Sequence, residues 1–234
     1  MLSFRLPSVL CALTLALSHA PTSEAGDITG TVKLPDPTAR PARRTRARYP
    51  GEAAGKDPIL RGPAVVFLEK VEAGAPFKPP AEKPVLAQKD RQFAPLLLPI
   101  LVGTVVRFPN QDDEFHNVFS RSVPKELELG RFGKDQVKEE TFDKPGLVRL
   151  RCEIHTHMHA VILVLQNPHF AVADDQGAYV IPNVPAGSYR LCAFQEDLEP
   201  AEKTESGIPV AAKEVEIPAE GKVAADFDLS QEKK

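Results

Sequence analysis

Proline constrains the fold of this chain more than any other feature. It accounts for 23 of the 234 residues and is spread along the whole chain. This is about twice the usual share of roughly 5%. Because proline breaks helix interiors and cannot donate a backbone hydrogen bond, long helices have little room. The sequence therefore predicts an all-β protein.

Short strand-like segments lie between the prolines, bounded by Pro, Gly, Asn or Asp. Regular short strands with turn signals are typical of β-sandwiches and barrels. Residues 127–140 carry glycines and mixed charge, and we expect an exposed loop there. The strand pattern restarts after Leu165. We therefore expect one β unit at 26–165, a second, small β unit packed rigidly against it at 166–230, and a disordered tail at 231–234.

The N-terminal residues have the pattern of a secretory signal. Arg5 precedes an apolar run that ends at Leu17, and Ser18 and Ala20 are the small residues of a cleavage site. We expect residues 1–20 to be removed, with a cut after residue 25 as the alternative, and a periplasmic or secreted protein. No later apolar segment is long enough to span a bilayer, so no membrane span is expected.

Charge argues against nucleic acid as a partner, because the formal net charge is −3 at pH 7. The basic cluster at residues 39–51 contains proline and glycine and is expected to be a solvated loop. An acidic run, Gln111–Phe115, is likewise interpreted as a solvated loop tip, since no nucleophile accompanies it. The sequence offers no catalytic residues, and we expect a protein that is not an enzyme.

Two cysteines, Cys152 and Cys192, remain once the signal is removed. In an oxidising compartment such a pair often forms a disulfide. Cys152, however, lies within seven residues of three histidines and a methionine, whereas Cys192 has only strand neighbours. We expect Cys152 to be a free thiolate ligand and Cys192 to be a small core residue.

The stretch "RLRCEIHTHMHAVILV", residues 149–164, holds the candidate metal ligands. A strand leads to Cys152 and another follows the histidines, so the residues between them turn at one end of a sheet. Cys152, His155 and Met158 offer a thiolate, an imidazole and a thioether, a soft set that suits copper better than magnesium or calcium. A fourth ligand must come from elsewhere, and His116 is the candidate.

Two segments together resemble the cupredoxins, the blue copper proteins. They are "GTVVRFPNQDDEFHNVFS", with its His-Asn pair, and "TFDKPGLVRLRCEIHTHM", with Cys-x-x-His followed by Met. The resemblance implies a Greek-key β-sandwich with one type 1 copper site held by His116, Cys152, His155 and Met158. It also implies that Asn117 ties the His116 segment to the Cys152 loop, and that His155 is the more exposed ligand.

Two features depart from the plastocyanin pattern. Met158 follows His155 by only three residues, which makes the loop tight and leaves axial binding by Met158 open. His157 and His159 are extra histidines, and along an extended segment they would share a face with His155. A site of three imidazoles for zinc or cupric copper is therefore an alternative.

A longer part of the chain is similar to bacterial periplasmic proteins labelled methylamine-utilisation or plastocyanin-like. Gln88 and the "FAP" motif at Phe93–Pro95 belong to this resemblance. The segment "GAYVIPNVPAGSYRL", from Gly177 to Leu191, resembles the carboxypeptidase regulatory-like β-sandwich. That second resemblance implies architecture more than activity.

Three functions remain open from the sequence. The first is an electron carrier with one copper ion that exchanges electrons with a redox partner protein, such as a cytochrome or a dehydrogenase. The second is a copper chaperone, sensor or storage protein without redox turnover. The third is an interaction module that binds glycan or protein and carries a degenerate copper site.

Overall fold

The structure, a computed structural model, describes residues 25–34, 43–44, 56–57, 62–72, 77–196 and 202–230. Every regular element in these residues is a β-strand, which confirms the all-β prediction. The predicted signal at 1–20, most of the basic cluster at 39–51 and the tail at 231–234 lie outside the described residues. Within the described ranges, no helix long and apolar enough to cross a membrane is found.

The strands follow one another in chain order. They are β1 (Ala25–Lys33), β2 (Arg43–Arg44), β3 (Lys56–Asp57), β4 (Val65–Leu68), β5 (Ala87–Lys89), β6 (Gln92–Ala94), β7 (Leu97–Leu101), β8 (Thr104–Pro109), β9 (His116–Ser122), β10 (Lys125–Phe132), β11 (Val137–Phe142), β12 (Gly146–Arg151), β13 (His159–Leu165), β14 (Phe170–Val172), β15 (Ala178–Pro185), β16 (Gly187–Phe194), β17 (Glu202–Lys203), β18 (Pro209–Ile217), β19 (Lys222–Ala224) and β20 (Phe227–Asp228).

The first unit packs a five-stranded sheet, in the order β10-β9-β12-β13-β7, against the pair β8 and β11. In the large sheet only β13 and β7 pair in parallel. Strand β8 alternates buried and more exposed residues, which is the pattern of a strand with one face on a core. Its Val106 and Phe108 meet Val118 and Leu150 from the opposite sheet in a shared hydrophobic cluster.

Residues 127–132 and 137–140 lie in strands, and only residues 133–136 between them form the predicted loop. Strand β10 pairs with β9, and β11 pairs with β8. Gly130 has φ +68° at the point where the β9–β10 register shifts, so a bulge absorbs the irregular sequence. The buried side chains of Leu127 and Phe132 hold β10 to the core on either side of this bulge.

The second unit combines the C-terminal strands with two strands from the N-terminal half. One sheet joins β1 to β15, β19 and β20, and the other has the order β14-β4-β16-β18-β17. The pairing differs here from the predicted division of the chain, since β1 and β4 lie within the expected 26–165 unit. Strand β4 lies between β14 and β16, and all four of its residues are buried. Both faces of this strand are therefore covered.

A third hydrophobic cluster joins the two units. Strand β13 is almost entirely buried because Ile162 faces the first core while Leu163 faces this third cluster. Phe67 of β4 and Phe194 of β16 meet Leu163 there. The continuous apolar run of β13 is therefore explained by a strand packed between two cores.

Candidate metal centre

Two loops meet at one end of the five-stranded sheet. Strand β9 begins at His116, and the antiparallel strand β12 ends at Arg151, immediately before Cys152. In antiparallel neighbours the start of one strand lies beside the end of the other. The pairing therefore brings the 110–115 loop next to the 152–158 loop.

Three predicted ligands converge at this point. The ligand atoms of His116, Cys152 and His155 all lie within 4.8 Å of one another. The Nδ1 atoms of the two imidazoles are 3.0 Å apart. His116 and Cys152 are buried, whereas the side chain of His155 keeps 17% of its exposure. Within the described ranges, a group of three or more His, Cys, Asp or Glu side chains close enough to hold one metal ion is found here, and these three residues form it.

Met158 closes the loop that carries Cys152 and His155. Its N–H donates to the carbonyl of His155 at 2.9 Å, and its carbonyl accepts a longer bond of 3.4 Å from the N–H of Cys152. The Met158 side chain is buried in the same cluster as Cys152. Its role as the fourth ligand stays a prediction.

Asn117 bridges the two segments of the site. Its side-chain Oδ1 accepts a hydrogen bond of 2.8 Å from the N–H of Glu153, the residue after Cys152. Asn117 is itself buried. The bond fixes the start of the 152–158 loop relative to strand β9.

Two carboxylates of the acidic run contact the histidines, and this corrects the interpretation of residues 111–115 as a solvated loop tip. Asp112 Oδ2 lies 2.8 Å from Nε2 of His116, and Glu114 Oε2 lies 2.9 Å from Nε2 of His155. Asp113 points away and pairs with Lys134. Residues 112–114 form bends, so no strand periodicity marks these contacts, and the sequence signal is only the closeness of the acidic run to His116.

The surroundings of Asp112 favour its ionised form. Burial raises the pKa of this carboxyl, but hydrogen bonds from the N–H of Arg91, from His116 and from the N–H of Asp90 outweigh burial. The net pKa of Asp112 lies below its ordinary value. The pKa of Glu114 is also lowered, first by its hydrogen bond with the Arg91 side chain. Both groups are therefore anionic acceptors at neutral pH.

The pKa of His155 is lowered, first by burial and then by the proximity of His116. Glu114 opposes this shift without cancelling it. The neutral ring, which is the form that binds a metal, is therefore favoured at neutral pH.

The donor set fits a soft or borderline metal ion. Because an ionised carboxylate can only accept, the Nε2 atoms of His116 and His155 carry protons, and Nδ1 is the atom whose lone pair each ring can offer to a metal. Two such lone pairs 3.0 Å apart repel unless a cation or a proton lies between them. With the Cys152 sulfur this makes two nitrogens and one sulfur, a set that suits copper or zinc and not magnesium or calcium.

The extra histidines make other contacts. His157 Nε2 lies 3.0 Å from the carbonyl oxygen of Arg91, and His159 Nδ1 lies 2.9 Å from the carbonyl oxygen of His157. Residues 153–157 form bends and a turn. The extended segment that the three-imidazole alternative requires is not formed, and the structure does not gather His155, His157 and His159 into one group.

The remaining predicted residues lie in ordered surroundings. Cys152 and Cys192 are both free and buried, and they belong to different hydrophobic clusters. Gln88 is fully buried, and its carbonyl oxygen accepts a bond of 2.8 Å from the N–H of Gln111. Its side-chain amide makes no hydrogen bond within the described part of the chain.

No family model and no curated protein matches this chain. Solved structures similar to part of it include a copper-containing nitrite reductase from Thermus scotoductus SA-01, with 29% identity, a TM-score of 0.36, and coverage of 42% of this chain and 25% of that one. A purple cupredoxin from Nitrosopumilus maritimus has 22% identity and a TM-score of 0.32, covering 35% of this chain and 99% of its own.

Amicyanin from Paracoccus versutus is 25% identical with a TM-score of 0.33, and the match covers 37% of this chain and 91% of amicyanin. The chain thus spans about a quarter of the nitrite reductase, and each of these matches covers less than half of this chain. The assignment of the metal centre rests on its side-chain geometry.

Proposed function

We propose that this protein is a type 1 copper protein of the periplasm or the extracellular space that carries single electrons between redox partner proteins. A cytochrome or a dehydrogenase has the chemistry of such a partner. The observation that carries the proposal is the pair of facing Nδ1 atoms, 3.0 Å apart, beside the buried sulfur of Cys152. Two imidazoles and one thiolate form the ligand set of blue copper electron-transfer sites.

Each residue of the site has a distinct part. His116, Cys152 and His155 would hold the ion, with Met158 as a weak axial ligand, and bound copper would supply one-electron redox chemistry. Asn117 and the backbone bonds of Met158 hold the ligand loop in place. A ligand set held in this way does not need to rearrange when the charge of the site changes.

Burial favours electron transfer over copper delivery. His116 and Cys152 are almost fully covered, and only the ring of His155 is partly exposed among these three. A metal enclosed in this way exchanges slowly with a recipient, whereas an electron can leave through the edge of His155. The proposal is therefore an electron carrier and not an enzyme or a chaperone.

For the second unit we propose a structural or docking role. The residues that it contributes to the third hydrophobic cluster cover the outer face of β13, the strand that follows the ligand loop. The resemblance to a carboxypeptidase regulatory-like sandwich stays a prediction about architecture.

The test is addition of cupric ion to the reduced, metal-free protein. We expect one equivalent of copper to produce an intense visible thiolate-to-copper charge-transfer band that a mild reductant bleaches and an oxidant restores. Zinc should bind without colour and block the band. Tight copper binding without the band, or a band without reversible reduction, would overturn the electron carrier and favour copper handling.

A further inference from the structure

The turn between β5 and β6 touches the metal centre from outside. Asp90 and Arg91 form this two-residue turn and both have positive φ, 54° and 56°. Such values define the tight hairpin turn that normally prefers Asn and Gly. The N–H groups of Asp90 and Arg91 both donate to the carboxylate of Asp112, at 2.7 Å and 3.0 Å. Asp112 in turn contacts the ring of His116.

The same turn also reaches the other ligand histidine. The Nε of Arg91 lies 3.1 Å from each carboxylate oxygen of Glu114, and its terminal nitrogen also bonds Glu114. Glu114 contacts the ring of His155. Two chains of contacts therefore run from one turn, through one carboxylate each, to the two imidazoles of the candidate site.

We propose that Asp112 and Glu114, both held by the Asp90–Arg91 turn, are positioning residues that fix the tautomers and orientations of His116 and His155, so that both Nδ1 atoms face the metal. The inference deepens the proposed function and rests on it. Carboxylates behind metal-bound imidazoles are a known means of setting the ring orientation and raising ligand basicity. Here a single turn supports both carboxylates.

Surface stabilisation alone does not account for the arrangement. An exposed ion pair such as Arg91 with Glu114 contributes little to stability in general. Arg91 nevertheless keeps a backbone conformation that side-chain-bearing residues adopt at a cost. The two-residue hairpin itself requires this conformation, which directs the Arg91 N–H to Asp112, and the Arg91 side chain bonds Glu114.

The consequence for the metal is a preference for the cupric state. An imidazole bonded to a carboxylate is a stronger donor, so removing either carboxylate should weaken cupric binding by about 10- to 100-fold. Cuprous binding, which depends less on donor strength, should change less. Each tenfold difference between the two corresponds to a rise of about 59 mV in the one-electron potential.

The first arm of the test uses zinc, which is diamagnetic and needs no copper chemistry. In the zinc-loaded full-length protein, nitrogen-15 NMR of the imidazoles should show Nδ1 bound to the metal and a protected Nε2–H in both ligand rings. Asp112→Ala and Glu114→Ala should lose the protected Nε2–H of their own ring and bind zinc about 10- to 100-fold more weakly. Glu114→Gln, whose side-chain carbonyl still accepts, should restore the His155 signature.

The matched control is Asp113→Ala. This carboxylate lies between the two in sequence but pairs with Lys134 and touches neither ring. It should leave the zinc affinity and both imidazole signatures unchanged. Amide spectra of the metal-free variants show whether each one folds. Should Asp112→Ala fail to fold, the comparison of Glu114→Ala with Glu114→Gln tests the positioning role.

Two results would overturn the inference. One is coordination of the wild-type rings through Nε2. The other is a set of Ala variants whose zinc affinity stays within about twofold of wild type, or falls no more than in Asp113→Ala. A wild-type protein that shows the imidazole signatures with zinc but no coloured copper form would overturn the proposed function and leave the positioning role intact.

Discussion

At the scale of residues, the candidate ligands differ in how they are held. Cys152 lies in a hydrophobic core and begins a loop that is closed by backbone bonds of Met158. His116 is fixed by complete burial, whereas His155 keeps one edge towards solvent and is held by Glu114. Substitutions at these positions should therefore have unequal effects on the metal.

Cys152→Ser should abolish the visible band of the copper-loaded protein, because the thiolate is the only donor that gives an intense charge transfer. Absorption spectroscopy of the copper-titrated variant measures this effect. His157→Ala is the control, since His157 contacts Arg91 and is not among the three gathered ligands, and it should keep the band. A band that survives His155→Ala but is lost in His157→Ala would show that the ligand assignment is wrong.

Both described thiols should be free but protected in the folded protein. Burial raises the pKa of Cys192 to about 12, so its reactive thiolate is scarce at pH 8. Thiol titration of the metal-free protein beginning at residue 26 should find two thiols after unfolding without reductant. Cys192 should stay unlabelled before unfolding. A mass two hydrogens short, with no reactive thiol, would indicate a disulfide and remove Cys152 from the site.

At the scale of elements, the sequence predicts the individual strands of the first unit better than it predicts which strands pair with one another. Alternation in β8 and the apolar run of β13 indicate strands directly, because side chains point to opposite faces. Alternation does not predict the strands within residues 127–140, because the bulge at Gly130 shifts the register and interrupts the alternation. The pairing of β1 with β15 was equally hidden, since long-range pairing leaves no local signal.

Two glycines should respond differently to substitution by alanine. A Cβ on Gly30 of β1 would lie 2.2 Å from the carbonyl oxygen of Ala225, so β1 and the β19–β20 segment would have to separate. A Cβ on Gly130 meets nothing within 4 Å, and only its positive φ opposes alanine, at a cost of about 1–2 kcal/mol. Denaturant unfolding should show a clearly larger loss for Gly30→Ala than for Gly130→Ala. Equal losses would contradict the close approach at Gly30.

At the scale of the molecule, the third hydrophobic cluster couples the first unit to the second unit. Phe194 and Val210 of the second unit pack with Leu97 and Leu163 of the first, all of them buried. A shared cluster of this kind makes unfolding of one unit expose apolar surface on the other. We therefore expect the two units to unfold together.

Phe194→Ala should destabilise both units, because a buried phenylalanine replaced by alanine leaves a cavity that costs about 3–5 kcal/mol. In copper-loaded protein, loss of the visible band and loss of the far-UV circular dichroism signal should move together to lower denaturant concentration. Val180→Ala, at a position 52% exposed, is the control and should shift neither. A band lost at an unchanged denaturant concentration in Phe194→Ala would show that the units unfold independently.

The sequence by itself determined the all-β class and the candidate ligands His116, Cys152 and His155. The class depends on the spread of proline and on strand patterns, and Cys152 and His155 depend on the residue types and close spacing of the Cys-x-x-His-x-x-Met set. His116 lies 36 residues earlier and was identified by the resemblance of its His-Asn segment to the cupredoxins. Only the tertiary structure decided that β1 and β4 pair with the C-terminal strands and that Asp112 and Glu114 face the ligand rings. The strand pairing and the Glu114–His155 contact depend on which distant segments meet, and the Asp112–His116 contact depends on bends at residues 112–114 that the distant Asp90–Arg91 turn holds. Neither kind of contact leaves a periodic trace in the residues that make it.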